Sequence, residues 1–131
     1  MKTLIVEDDF TGRFFLQAFL SRFGECHVAV NGREAVEAFR MATQTGTPYE
    51  LICMDILMPE MDGKEAVQRV RNIEEAAGIY SDRSAKIIMT TAVDEAKDVI
   101  DSFHALCDAY IFKPIDTAQL TQHLRNFRLI A

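Results

Sequence analysis

The sequence predicts an α/β fold in which a parallel β-sheet is covered by helices on both faces. Short apolar runs alternate five times with longer segments whose apolar residues recur at helical spacing. The central run, residues 51–54, contains no polar residue, which is typical of a strand buried on both faces. Alternation of this kind predicts parallel strands joined by right-handed crossovers.

Composition predicts one globular domain over residues 1–131. With 49% hydrophobic and 26% charged residues, the chain can fill a single core. No apolar run approaches a membrane span and no signal peptide is recognisable, so we expect a cytoplasmic protein without a membrane partner. The net charge of −6 argues against nucleic-acid binding, which needs a basic surface. Three cysteines without metal-binding spacing are interpreted as small buried hydrophobes in a reducing compartment.

The first strand and first helix are predicted over residues 3–6 and 10–23. The helix is expected to end at Gly24, and an apolar stripe along it is typical of a face that packs on the core. The stripe consists of Phe14, Phe15, Ala18, Phe19 and Phe23.

The second strand, residues 26–30, has the mixed polarity of an edge strand. Asn31 then provides an N-cap, with Glu34 three residues later, and predicts a helix that ends near Gln44. After the central strand, Asp62 and its following glutamate repeat this pattern and predict a third helix that ends near Ala77.

A polar connection over residues 78–84 precedes the fourth strand, residues 86–90. Asp94 is expected to cap a fourth helix. The fifth strand, residues 109–112, is followed by a fifth helix capped by Asp116. The inner faces of the last two helices are predicted to consist of Ala96, Ile100 and Phe103, and of Leu120, Leu124 and Phe127.

Polar side chains follow four of the predicted strands, at the point where each strand ends. They are Glu7, Asp8 and Asp9, then Asp55, then Thr90 and Thr91, and finally Lys113. Because ligands of open α/β sheets bind at the carboxyl ends of the strands, we expect these residues to lie together. Neighbouring carboxylates repel one another, and Mg²⁺ prefers carboxylate oxygens and phosphate. The pattern therefore predicts a site for Mg²⁺ and a phosphoryl group.

The combination of these motifs resembles the receiver domain of two-component response regulators. It consists of Glu7-Asp8-Asp9, Met54-Asp55 with Met58-Pro59 and Asp62-Gly63, Thr91-Ala92, and Tyr110-Ile111-Phe112-Lys113-Pro114. The resemblance covers essentially the whole chain. It implies a flavodoxin-like, doubly wound fold with five strands in the order 2-1-3-4-5 and five helices. It also implies a stand-alone, chemotaxis-type receiver without an output domain.

The resemblance implies a signalling switch that catalyses only its own phosphorylation and dephosphorylation. Asp55 is expected to accept a phosphoryl group from a sensor histidine kinase or a phosphotransfer protein. Asp9 and Asp55, with Asp8 directly or through water, are expected to hold Mg²⁺ together with the backbone carbonyl of Leu57. By this assignment Glu7 is a solvated strand end.

Lys113 is expected to pair with the acceptor and then with the phosphoryl group, through a Lys113–Pro114 peptide bond in the cis form. Thr91, chosen over Thr90 because it directly precedes Ala92, is expected to donate its hydroxyl to the phosphoryl group. Tyr110 is expected to turn inward on phosphorylation. This change would alter the face made by the fourth helix, the fifth strand and the fifth helix, where a downstream protein effector binds.

Two departures from the family pattern bear on these expectations. Leu106 stands where many relatives have glycine, so the chain is expected to close differently before the fifth strand. Leu57 and Val93 are apolar at positions that modulate hydrolysis of the acyl phosphate, which predicts a long-lived phosphorylated form.

The sequence disfavours three other functions. A phosphohydrolase of haloacid-dehalogenase type needs an acid two residues after the nucleophile, where this chain has Leu57. A flavodoxin-like FMN carrier needs a phosphate-binding first loop, which three acidic residues would repel. A purely interacting pseudo-receiver is disfavoured because the residues for phosphorylation are intact. Chemotaxis and phosphorelay roles both remain open.

Overall fold

The computed structural model describes residues 1–56, 58, 60–92 and 106–131. Its strands are β1 (Thr3–Val6), β2 (Cys26–Ala29), β3 (Leu51–Asp55), β4 (Lys86–Thr91) and β5 (Ala109–Phe112). They form one sheet in the order β2-β1-β3-β4-β5, and every neighbouring pair is parallel. The predicted strand order is confirmed.

Four α-helices lie within the described ranges. They are α1 (Phe10–Leu20), α2 (Gly32–Gln44), α3 (Gly63–Ala76) and α4 (Thr117–Asn126), with short 3₁₀ turns at Ser21–Phe23 and Ser81–Arg83. Helix α4 is the fifth of the predicted helices. The predicted fourth helix, with Asp94, Ala96, Ile100 and Phe103, lies outside the described residues, and so does Val93. Within the described part of the chain, no helix combines the length and the apolar character that spanning a bilayer requires.

Side-chain caps begin the helices where the sequence predicts them. Asn31 accepts the N–H of Glu34 at 2.8 Å, and Asp62 accepts the N–H of Glu65 at 3.0 Å. Asp116 caps α4 by accepting the N–H of Ala118, two residues later, at 2.8 Å. Each cap satisfies an otherwise unpaired N–H group and stabilises the fold by about 1 kcal/mol. Asp62 caps α3, as the sequence predicts.

The core lies on both faces of the sheet. Side chains alternate along β3, so that Ile52 and Met54 join the cluster under α2 and α3, whereas Leu51 and Cys53 join the cluster under α1 and α4. All four are buried. The central strand is therefore covered on both sides, as predicted.

The predicted inner face of α1 is only partly correct. Phe19 and Phe23 pack against the cluster under α1 and α4, but Phe14, Phe15 and Ala18 are exposed. The residues of α1 that are buried are Leu16 and Leu20, whereas Phe14 is 63% exposed and Phe15 is 42% exposed. Both the leucines and the phenylalanines recur at helical spacing, so periodicity alone does not choose between them. The docked helix turns Leu16 and Leu20 to the sheet, and in its first turn Arg13 donates to the carbonyl of Glu7 at 3.0 Å.

Arg71 on α3 connects three elements at the amino end of the sheet. Its guanidinium contacts the carboxylates of Glu74 at 2.8 Å and Asp108 at 3.2 Å, and its Nε donates to the carbonyl of Leu106 at 2.9 Å. Glu74 is 3% exposed and accepts the N–H of Ala85 at 2.7 Å, just before β4. An arginine thus holds the chain at Leu106, just before β5.

We expect Cys53 to resist a thiol reagent in the native protein and to react once the protein unfolds. Burial raises the pKa of its thiol to about 12, so almost no thiolate exists near neutral pH. The measurement is thiol labelling of a Cys26→Ser/Cys107→Ser variant, in which only Cys53 remains, with and without denaturant. Rapid labelling under native conditions would contradict the buried assignment.

Candidate functional site

The chemically active side chains lie at the carboxyl edge of the sheet. Val6 and Met54 are paired in register, so Glu7 and Asp55, the residues that follow them, come to the same level. Lys113 directly follows β5. Asp55 is only 8% exposed and Glu7 is 2% exposed. The expectation that Glu7 is a solvated strand end is wrong.

Lys113 is shared between two carboxylates. Its Nζ lies 2.7 Å from Oε1 of Glu7 and 3.1 Å from Oδ2 of Asp55. Burial alone would lower the pKa of the Lys113 ammonium, but hydrogen bonds and charges from Glu7 and Asp55 outweigh this effect and raise the pKa. The Lys113–Pro114 peptide bond is cis, as predicted. The expected contact between Lys113 and the acceptor is present.

Three carboxylates come together around Asp55. One oxygen each from Glu7, Asp8 and Asp55 lie within 4.8 Å of one another. Burial, followed by the neighbouring Asp55, raises the pKa of the Glu7 carboxyl, and Lys113 opposes this shift only in part. Oε2 of Glu7 is buried and accepts no N–H or O–H from the described residues. The arrangement needs a further positive charge or a proton.

Asp9 is not a member of this group, which corrects the predicted ligand set of Asp8, Asp9 and Asp55. Oδ2 of Asp9 accepts the N–H of Gly12 at 2.9 Å, and the residue is the exposed N-cap of α1. Side-chain alternation is compatible with Glu7 beside Asp55, but it does not choose between Glu7 and Asp9. Ile5 and Cys53 face the same cluster, so the residues two positions later, Glu7 and Asp55, share a side of the sheet.

Gly12 is a second residue that the sequence analysis missed. A Cβ atom at this position would lie 2.9 Å from Oε1 of Glu7 and 3.4 Å from Oδ2 of Asp9. Glycine inside a helix costs about 0.5–1 kcal/mol relative to alanine. Here its missing side chain leaves the space that the Glu7 carboxylate occupies.

Three further residues were predicted to belong to the site: Thr91, Tyr110 and Leu57. Thr91 is buried, and its hydroxyl donates to the carbonyl of Ala92 at 3.3 Å. The residue paired in register with Asp55 is Thr90. Tyr110 is half-buried and packs on the cluster under α2 and α3. Leu57 lies outside the described residues. The roles of Thr91 and Tyr110 stay predictions.

The residues present fit a magnesium ion. Glu7, Asp8 and Asp55 offer oxygen donors, which are the ligands of this hard cation, and a divalent charge would offset their mutual repulsion. The buried acceptor Oε2 of Glu7 is a further observation in favour of a cation at this point.

Comparisons with known proteins agree on the family. The model of the response regulator receiver domain matches residues 3–125. The chemotaxis protein CheY of Thermotoga maritima is 30% identical over 127 residues, with 95% of each chain covered. Other curated relatives are longer, since the chain spans 54% and 45% of two transcriptional regulators and 12% of a histidine kinase.

Solved structures show the same fold. A chain in the co-crystal structure of the Saccharomyces cerevisiae phosphotransfer protein Ypd1 and the receiver domain of Ssk1 has a TM-score of 0.79 and 25% identity. That match covers 97% of this chain and 88% of the other. The receiver domain of the Arabidopsis thaliana histidine kinase CKI1, complexed with Mg²⁺ and BeF₃⁻, has a TM-score of 0.77 and 27% identity. Coverage there is 97% and 89%. The chain therefore belongs to the response regulator receiver domains of two-component signalling.

Proposed function

We propose that this protein is a phosphoacceptor in a two-component phosphorelay, and that it takes a phosphoryl group onto Asp55. The supporting observation is the surroundings of this carboxylate. It is almost fully buried, lies 3.1 Å from the Lys113 ammonium and forms part of a group of three carboxylates. The donor is a sensor histidine kinase or a phosphotransfer protein, the class of partner present in the Ypd1–Ssk1 complex.

In the proposed reaction an oxygen of Asp55 attacks the phosphorus of a phosphohistidine. The bond between phosphorus and nitrogen breaks, its electron pair stays on the imidazole nitrogen, and an acyl phosphate forms on Asp55. Lys113 can stabilise the negative charge of the new phosphoryl group, because its ammonium already contacts the Asp55 carboxylate. A compact ammonium on a flexible stem can move from a carboxylate to a phosphoryl oxygen.

Glu7, Asp8 and Asp55 would hold Mg²⁺ in this proposal. The ion supplies positive charge that offsets the repulsion between the acidic site and an anionic phosphoryl group. Of the protein's own groups, Asp55 forms the bond and Lys113 balances negative charge beside it. We propose that the protein is a signalling switch that catalyses only its own phosphorylation and dephosphorylation.

The output follows from the new charge. An aspartyl phosphate carries about two negative charges in place of the single charge of the carboxylate, and it brings several acceptor oxygens to the edge of the sheet. We propose that Thr91 and Tyr110 respond to this charge and change a surface that includes β5 and α4, where Phe112 is exposed. A downstream protein would bind there. The acidic chain is proposed to act in the cytoplasm, with protein partners and not nucleic acid.

The test is incubation with acetyl phosphate, with and without Mg²⁺, followed by intact-mass measurement. We expect metal-dependent addition of one phosphoryl group to the wild type and none to Asp55→Asn. Asp62→Asn is the matched control, because Asp62 caps α3 and asparagine caps equally well, so its phosphorylation should be unchanged. No addition to the wild type would contradict the proposed function.

A further inference from the structure

Asp8 differs from the other two members of the group of three carboxylates in how its side chain is held. The Glu7 and Asp55 carboxylates are buried, and both contact the Lys113 ammonium. Asp8 is exposed, and no hydrogen bond from a described residue reaches its carboxylate. One of its oxygens nevertheless lies within 4.8 Å of oxygens of the other two. The position of this carboxylate therefore depends on the backbone that carries it.

This backbone is held by Arg13, in the first turn of α1. The Nη1 atom of Arg13 donates to the carbonyl of Glu7 at 3.0 Å and to the carbonyl of Asp8 at 3.3 Å. These carbonyls belong to the two peptide groups on either side of the Asp8 Cα atom. Each peptide group is planar, so holding both carbonyls restricts the backbone dihedral angles of Asp8 and the direction of its side chain. The guanidinium thus orients the acid whose carboxylate has no described partner.

The guanidinium of Arg13 is itself supported from the start of the same helix. It lies over the ring of Phe10, with Cζ 5.6 Å from the ring centre. Phe10 stacks on Phe14 at 6.2 Å between ring centres, and both rings are largely exposed. A cation is attracted to the face of an aromatic ring. An exposed ring on α1 therefore helps to hold the arginine against the two carbonyls.

We propose that Arg13 is a positioning residue for Mg²⁺, which acts through the backbone of Glu7 and Asp8. In this role it contacts neither the ion nor the phosphoryl group. The inference rests on the metal site of the proposed function and names a residue that prepares this site. Groups that orient metal ligands commonly raise metal affinity about tenfold or more.

The direction of the effect separates positioning from charge. Arg13 carries a positive charge close to the carboxylates that would hold the cation. By Coulomb's law alone, removal of this charge would strengthen Mg²⁺ binding. Loss of a positioning residue has the opposite effect, because Asp8 then has to lose more conformational freedom when it binds the ion. Weaker Mg²⁺ binding after removal of a cation therefore indicates positioning.

The experiment is a calorimetric Mg²⁺ titration without a phosphodonor. Arg13→Ala is expected to weaken Mg²⁺ binding about tenfold. Arg22→Ala is the matched control, because Arg22 also lies over an aromatic ring, that of Phe19 at 5.3 Å, but follows the other end of α1. Its loss should change the affinity less than about twofold, as for a distant, solvent-screened charge. An affinity of Arg13→Ala equal to that of the wild type, or higher, would overturn the proposal.

A second measurement separates positioning of the ion from general damage to the site. Since Arg13 acts on metal ligands and not on the phosphorus, a higher Mg²⁺ concentration should compensate for its loss. In phosphorylation by acetyl phosphate, the Mg²⁺ concentration for half-maximal rate should rise about tenfold in Arg13→Ala, and the rate at saturating Mg²⁺ should stay within about twofold of the wild-type rate. A lower saturated rate with an unchanged Mg²⁺ dependence would contradict the positioning role.

The outcomes keep the two proposals apart. If the wild type binds Mg²⁺ but is not phosphorylated, the proposed function fails, and the titration of Arg13→Ala still decides the positioning role. If the wild type is phosphorylated and Arg13→Ala binds Mg²⁺ equally tightly, only the positioning role is overturned. A wild type that binds no Mg²⁺ overturns it as well.

Phe10→Ala is a second variant, which decides the question if Arg13→Ala does not fold. Phe10 is 69% exposed, so its removal leaves the core intact. The variant keeps the arginine and removes the ring beneath it, and it is expected to weaken Mg²⁺ binding about twofold, the lower end for one exposed cation–π contact. An unchanged affinity in this variant would speak against the proposed support of the metal site by the first turn of α1.

Discussion

Replacing Glu7 by glutamine is expected to weaken Mg²⁺ binding at least about tenfold, since loss of groups that support a metal site commonly costs that factor or more. Glu7 contributes one of three mutually close carboxylates. It is buried, so water does not screen its charge or take its place as a ligand. Glutamine keeps the size of the side chain and leaves an oxygen for Lys113. The measurement is a calorimetric Mg²⁺ titration without a phosphodonor.

The matched variant is Asp9→Asn. Asp9 directly follows Asp8 in the sequence but is not part of the group of three carboxylates. Asp9 is exposed and its carboxylate caps α1, so we expect its loss of charge to change Mg²⁺ affinity less than about threefold, as for a solvent-screened charge. Asparagine preserves the cap. If Asp9→Asn bound Mg²⁺ weakly and Glu7→Gln bound it as tightly as the wild type, the ligand set predicted from the sequence would be correct.

Arg71→Ala is expected to lower the free energy of unfolding by about 3 kcal/mol, the scale for removing one partner of a buried ion pair. The Glu74 carboxylate would stay buried without its cation, and the carbonyl of Leu106 would lose its donor. The Asp108 carboxylate would keep only the N–H of Ile87 among the contacts described for it. Denaturant unfolding followed by far-UV circular dichroism measures the change.

Arg69→Ala is the control on the same helix. Arg69 forms an exposed ion pair with Glu65, one helical turn away. The expected loss in the free energy of unfolding is therefore below about 0.5 kcal/mol. Equal effects of the two substitutions would mean that the Arg71 contacts add no more than a surface pair does.

Local signals were enough to predict most of the fold. Asn31 and Asp62 cap helices where a capping residue and a glutamate stand three residues apart. The face that α1 turns to the sheet could not be predicted in the same way. Leu16 and Phe15 both belong to helical stripes, and the choice between them depends on how the helix docks, which is a tertiary property.

Some residues of the site could be predicted from the sequence, and others could not. Asp55 and Lys113 could be predicted because each stands alone after an apolar strand, and parallel strands bring such residues to one edge. The first loop holds three acids in succession, and its pattern does not show where the strand ends and the helix cap begins. That boundary decides between Glu7 and Asp9, because β1 ends at Val6 and Asp9 is the N-cap of α1.

The contact between Gly12 and the Glu7 carboxylate makes the two positions interdependent. A methyl group at position 12 collides with a long acid at position 7, whereas a shorter acid would withdraw from it. Exchanges at these sites are therefore non-additive, and their order matters. If a shorter acid first replaces Glu7, alanine can then replace Gly12. If alanine comes first, its Cβ lies 2.9 Å from Oε1 of Glu7, and the carboxylate has to shift.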